Sequence, residues 1–101
     1  MFMMKKNELL AALRGGKYTQ GHQYLRHGDK FNVHGVYCDI LDSSLWRLIG
    51  NVWTWNSNAG MIPQCEKYGL SFEDQQMIHY LDLEKKFCFT RIAKWIEKNV
   101  N

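Results

Sequence analysis

No stretch of this chain approaches the ~20 consecutive apolar residues of a membrane span, and the charged start from Met1 to Lys6 is not followed by an apolar run of secretory length. The expectation is a protein that stays in the cytoplasm. Cysteine is sparse: Cys38, Cys65 and Cys88 are an odd count at wide spacings with no C-x-x-C pair, so reduced thiols are expected in place of a disulfide framework. A dense acidic face is also missing. The first thirty residues are basic through Lys5, Lys6, Arg14, Lys17, Arg26 and Lys30, and only residues 31 to 81 lean acidic, through Asp39, Asp42, Glu66, Glu73 and Asp74. That distribution argues against a DNA mimic, which needs concentrated negative charge. There is no nucleophile elbow, no glycine-rich phosphate loop, no internal repeat and no low-complexity linker.

What is present is globular. A length of 101 residues suits a single domain spanning 1–101, and 46% apolar with 23% charged residues lies far from the composition of disordered chains. Aromatics are abundant. Four Trp, five Tyr and five Phe exceed what so small a core needs, so some aromatic surface is available for a partner or ligand, or for a homo-oligomer.

Periodicity places the elements of an α+β fold with more helix than strand. A first helix runs from about Met4 to Arg14, with Leu9, Leu10 and Leu13 on one side and Gly15-Gly16 as its stop. Residues 17 to 30 read as an ordered, glycine-containing loop with short extended pieces, anchored by Tyr18, Tyr24 and Leu25. Val33, Val36, Tyr37, Ile40 and Leu41 follow the helical template, although Gly35 and the valines are poor helix formers and a strand is the competing assignment. Aromatic and β-branched residues between Leu45 and Asn56 surround Gly50-Asn51, a pair suited to a tight hairpin turn. On such a ribbon Trp53 and Trp55 share a face and form an aromatic platform. Pro63 begins a helical turn that reaches Tyr68 and closes at Gly69. Ser71 and Asp74 make a cap for a helix to about Leu81, with Met77, Ile78 and Leu81 facing inward. A last helix from Phe89 to Asn99 carries the stripe Phe89, Ile92, Ala93 and Ile96, and completes an αα hairpin.

Several constellations bear on chemistry. His22, His27, His34, His79 and the cysteines lack the paired spacing of a zinc site, and isolated surface histidines with buried thiols account for them better. Cys38 beside Asp39, with His34 one helical turn earlier, is the adjacency a thiolate nucleophile needs, but a lone cysteine on an apolar helix is ordinarily core. Asp39 is better read as the partner of Arg26 or Arg14, holding the loop against the helix. Lys17, Tyr18, Gln20, Gly21, Tyr24 and Arg26 crowd into ten residues of loop, and Trp53 and Trp55 follow on the hairpin. Such a set can grip a nucleotide by stacking and phosphate contacts, or serve purely in packing. In the C-terminal hairpin, Arg91, Lys94 and Lys98 would be the reading residues of a helix-turn-helix.

Three short elements carry a resemblance. Ala12-Leu13-Arg14-Gly15-Gly16-Lys17-Tyr18-Thr19-Gln20-Gly21 is similar to A-L-R-S-G-x-Y-x-Q-G, Leu25-Arg26-His27-Gly28-Asp29-Lys30-Phe31 to L-R-x-x-D-x-F, and Gly35-Val36-Tyr37-Cys38-Asp39 to G-V-L-C-D. With a closing element at residues 88 to 97 similar to S-F-x-E-I-A-x-x-I-E, nearly the whole chain resembles a family of small phage and prophage proteins. It departs from that pattern at Cys88 and Arg91, where Ser and Glu are usual. The resemblance implies a phage accessory gene, whose products commonly neutralise a host factor by binding. The expected function is therefore counter-defence without catalysis or cofactor, in the host cytoplasm. A host defence protein would be docked upon, or a nucleotide-like signal sequestered by Lys17, Tyr18, Gln20, Gly21, Tyr24, Arg26, Asp39, Trp53 and Trp55. The alternative is a small DNA-binding regulator that uses Arg91, Lys94 and Lys98.

Overall fold

A computed structural model describes residues 5–60, 62 and 65–100. Helix α1 (Lys6–Arg14) buries Leu9, Leu10 and Leu13, as the i, i+1, i+4 spacing requires. It ends at Gly15, and Gly16 takes a φ of +76°, the left-handed position that glycine alone adopts without strain. The expected start at Met4 lies outside the described residues.

The glycine-containing loop folds into three two-residue strands, β1 (Thr19–Gln20), β2 (Arg26–His27) and β3 (Lys30–Phe31), in the order β1-β3-β2. β1 runs parallel to β3 and β2 antiparallel to it, with Gln20 and Arg26 both level with Phe31. These three residues share one face of the small sheet, and Thr19, His27 and Lys30 the other. Leu25 is fully buried and Tyr18 packs against the core, whereas Tyr24, expected as an anchor, is exposed.

Helix α2 (Val33–Asp42) settles the helix-or-strand ambiguity around Gly35. Asn32 caps it by accepting from the Gly35 N–H at 2.7 Å, and Val33 through Cys38 are all buried. Gly35 is there for a reason that local propensity does not reveal. A Cβ on it would stand 1.7 Å from the Leu25 carbonyl oxygen, because the loop backbone crosses the helix at that point.

A 3₁₀ turn (Ser43–Leu45) leads into the hairpin of β4 (Trp46–Ile49) and β5 (Val52–Trp55), joined at Gly50-Asn51 with Gly50 at a φ of +63°. The register pairs Trp46 with Trp55, Leu48 with Trp53 and Ile49 with Val52. Beyond a second 3₁₀ turn (Cys65–Tyr68), α3 (Phe72–Leu83) and α4 (Phe89–Asn99) pack together as the C-terminal pair. The expected start of that turn at Pro63 lies outside the described residues. Ser71 caps α3 through the Asp74 N–H, as the S-x-x-D spacing demands.

One expectation for α3 fails. Ile78 and Leu81 are buried, but Met77 is 39% exposed, and the polar Gln75 and Asp82 turn inward beside them. The reason is tertiary: the Asp82 carboxylate accepts from the Val33 N–H at 2.8 Å, at the unsatisfied amino end of α2. Helix α4 buries its expected stripe against α1. Arg14 pairs with Glu97 at 3.2 Å, and the Lys6 ammonium donates to the carbonyls of Glu97 and Val100, closing the last turn of α4. The buried apolar side chains of all four helices and the hairpin form one cluster. Among the described residues, no helix is long and apolar enough to cross a membrane.

Candidate functional site

Most of the expected binding residues gather where the small sheet meets the hairpin, and each is held by contacts within the chain. Arg26 projects from β2 on the Phe31 face, and its guanidinium lies 3.7 Å from the centroid of the Trp53 ring, with Phe31 and Trp46 at 5.2 and 5.6 Å. The rings support one another edge to face, in the chain Tyr18, Phe31, Trp46, Trp53. The result is an aromatic nest filled by the protein's own cation.

The expected pairing of Asp39 with Arg26 or Arg14 is not formed. Asp39 accepts instead from the Tyr18 hydroxyl at 2.6 Å and the Trp46 indole N–H at 3.1 Å, so both carboxylate oxygens are engaged. Arg26 donates through Nε to the Gly28 carbonyl at 2.9 Å, and Arg14 has Glu97. Burial, together with the bond to Asp39, pushes the Tyr18 phenol well above its ordinary range. Tyr18 is therefore a neutral structural donor.

Gln20 is a clamp. Its amide donates to the Phe87 carbonyl at 2.8 Å and accepts from the Phe89 N–H at 3.0 Å, which ties β1 to the entrance of α4 where Cys88 offers no side-chain cap. Gly21 continues the strand pairing through its N–H to the Phe31 carbonyl at 2.8 Å. On the other side of the sheet, Gly21, His22, Gln23, Tyr24, His27 and Lys30 line a shallow depression of about 190 Å³. Here Tyr24 stands edge to face with His27, and His22 reaches the buried Asp82 at 2.8 Å. Lys17 lies over the Tyr18 ring at 5.4 Å.

The two hairpin tryptophans share a face as expected, but they do not form an open platform. Trp55 is completely buried, and its indole donates to the Asp42 carbonyl at 2.8 Å, so replacing it would breach the core instead of altering association. Of these two, Trp53 reaches the nest, where it meets Trp46 from the paired strand. The exposed part of the ribbon is its tip, where Leu48, Ile49 and Val52 are 55%, 65% and 47% exposed.

Elsewhere, Arg91 stacks over Phe87 at 3.7 Å, and Lys94 and Lys98 lie exposed on α4, so the three cations form a stripe on the face opposite its buried residues. Cys38 is sealed in the core, where burial raises its thiol pKa and removes it from nucleophilic use. The exposed Cys88 thiol is lowered by its hydrogen bond to Thr90. Among the described residues, no group of three or more His, Cys, Asp or Glu side chains could hold a metal ion.

Phe31, Asp82 and the hairpin tip are absent from the expected site. Counting outward from Gly50-Asn51 was enough to place Trp46 opposite Trp55, whereas nothing local announced Asp82, whose partners lie 49 and 60 residues away. Comparison with family models, with curated proteins and with solved structures finds no match to this chain.

Proposed function

We propose that this protein acts by docking on another protein through the tip of its hairpin, without enzymatic turnover. The supporting observation is the tip itself: three exposed aliphatic side chains, Leu48, Ile49 and Val52, stand on a ribbon whose root is pinned by the buried Trp46 and Trp55. Apolar groups held on a rigid base are the composition of an interface core. Exposed cations outnumber acidic groups on the small sheet and the ribbon it packs against, with Lys17, Lys30 and Arg47 against Asp29. The partner surface that fits is an apolar cleft with an acidic rim. Sequestration of a nucleotide-derived signal is less well supported, because the aromatic nest is occupied by Arg26 and the depression beside it falls below the ~300–1,000 Å³ of small-molecule sites.

The resemblance to phage and prophage proteins supplies the biological reading. The partner is a host defence protein or host factor in the cytoplasm, and the effect is inhibition. A phage-protection assay tests it. Ile49→Glu alters a side chain that is mostly in water, so stability should change by no more than about 0.5 kcal/mol while protection is lost. Full protection by the folded variant would overturn the docking surface. A second reading, a small DNA-binding regulator, draws on the stripe of Arg91, Lys94 and Lys98 along α4.

A further inference from the structure

We infer that Arg26 anchors a carboxylate carried by the docking partner, an inference that rests on the hairpin-docking reading above. The guanidinium is fixed on one side by stacking on Trp53 and along one edge by the bond from Nε to the Gly28 carbonyl. Those contacts commit its face and leave its fork. Both terminal Nη groups lack a hydrogen-bond partner among the described residues, where the ion pairs are Arg14 with Glu97 and His22 with Asp82. Asp39, the partner expected from the sequence, is spent on Tyr18 and Trp46.

A half-buried cation held by these contacts, with no ion-pair partner among the described residues, is poised for a planar anion. An arginine held this way loses little conformational entropy on pairing, and its two terminal nitrogens match the two oxygens of a carboxylate. Its place on the ribbon matters as much. Trp53 is paired with Leu48 on the same face of the ribbon, so the cation shares that face with the first residue of the apolar tip, while the next rung, Ile49 with Val52, projects from the opposite face. Arginine and tryptophan next to aliphatic contacts are the composition of an interface hot spot. A nucleic acid backbone is a poorer occupant. It calls for cations repeated along a track, and it would leave the exposed Leu48 facing phosphates. An aspartate or glutamate at the edge of an apolar cleft on a protein satisfies both halves of the surface.

Titration of the full chain with acetylated hexaglutamate peptide at constant ionic strength, followed by NMR through the Trp53 indole N–H, tests this directly. The expected result is a saturable shift. In R26K, which keeps the charge but lacks the fork and the stacked plane, the affinity should fall about tenfold, the loss of roughly one charge-assisted hydrogen bond. Inorganic phosphate at matched ionic strength should bind more weakly than the peptide. Three results would overturn the assignment: no saturable shift, equal affinity in a folded R26K, or tighter binding of phosphate. Protection by Ile49→Glu reads the tip and the titration reads Arg26, so failure of the docking reading and failure of the anchor are separately visible.

Discussion

Gly35 sits in the first turn of α2, where glycine costs about 1 kcal/mol of helix stability relative to alanine. Read locally, Gly35→Ala should stabilise the protein. The fold reverses the sign, because the added methyl would meet the Leu25 carbonyl oxygen at 1.7 Å and that backbone segment is tied on both sides, to Ala59 and to Asn32. Loss of about 3 kcal/mol or more is expected in urea unfolding, at the upper end of overpacking costs. An unchanged midpoint would mean that the loop does not cross the helix there. His34 presents the opposite case, a titratable side chain 1% exposed whose two ring nitrogens have no hydrogen-bond partner among the described residues. Burial, with the neighbouring His79 ring on α3 adding to it, lowers its pKa from the ordinary 6.5 to about 3. The unfolded chain therefore takes up a proton that the folded one refuses between those values. The stability contributed by neutral His34 is complete above pH 6.5 and is lost as pH falls toward 3. Urea midpoints measured across that range should fall less steeply in His34→Leu than in the parent, with a difference of up to about 1.4 kcal/mol per pH unit. Parallel curves would refute the buried neutral imidazole.

At the scale of elements, local pattern was a good guide wherever one face of an element is apolar and the other polar. α1 and α4 have clear stripes and the hairpin has its turn pair, so their type and inward residues were legible, whereas α2 is buried over six successive residues and its helical period competes with a strand reading around Gly35. α3 lacks such a stripe. Its apolar residues lie all round, and which of them go inside was decided by Asp82 docking on the amino end of α2, leaving Phe72, Met77 and Tyr80 in water. The hairpin shows the same division on a smaller scale. Alternation correctly put Trp53 and Trp55 on one face, but burial grades along that face from root to tip, so Trp55 belongs to the core and Leu48 to solvent. A period of two residues says which side a residue faces and nothing about how far along the strand the core extends.

For the molecule as a whole, charge sets a further test. Arg91, Lys94 and Lys98 make α4 attractive to a polyanion, and weak, sequence-independent duplex binding is expected, falling steeply with salt. Replacing the three cations by alanine should remove most of that binding in an electrophoretic shift assay. Tight binding to one duplex at physiological salt would instead favour the regulator. The sequence by itself determined the α+β class, the helical stripes, the Ser71 cap and the Gly50-Asn51 turn, because each rests on neighbours within a few residues. Tertiary structure alone decided the partners of Asp39, Arg26, Gln20 and Asp82. A carboxylate, an amide or a guanidinium bonds whichever complementary group the fold delivers within about 3 Å, and here those groups come from elements tens of residues away, which periodicity does not encode.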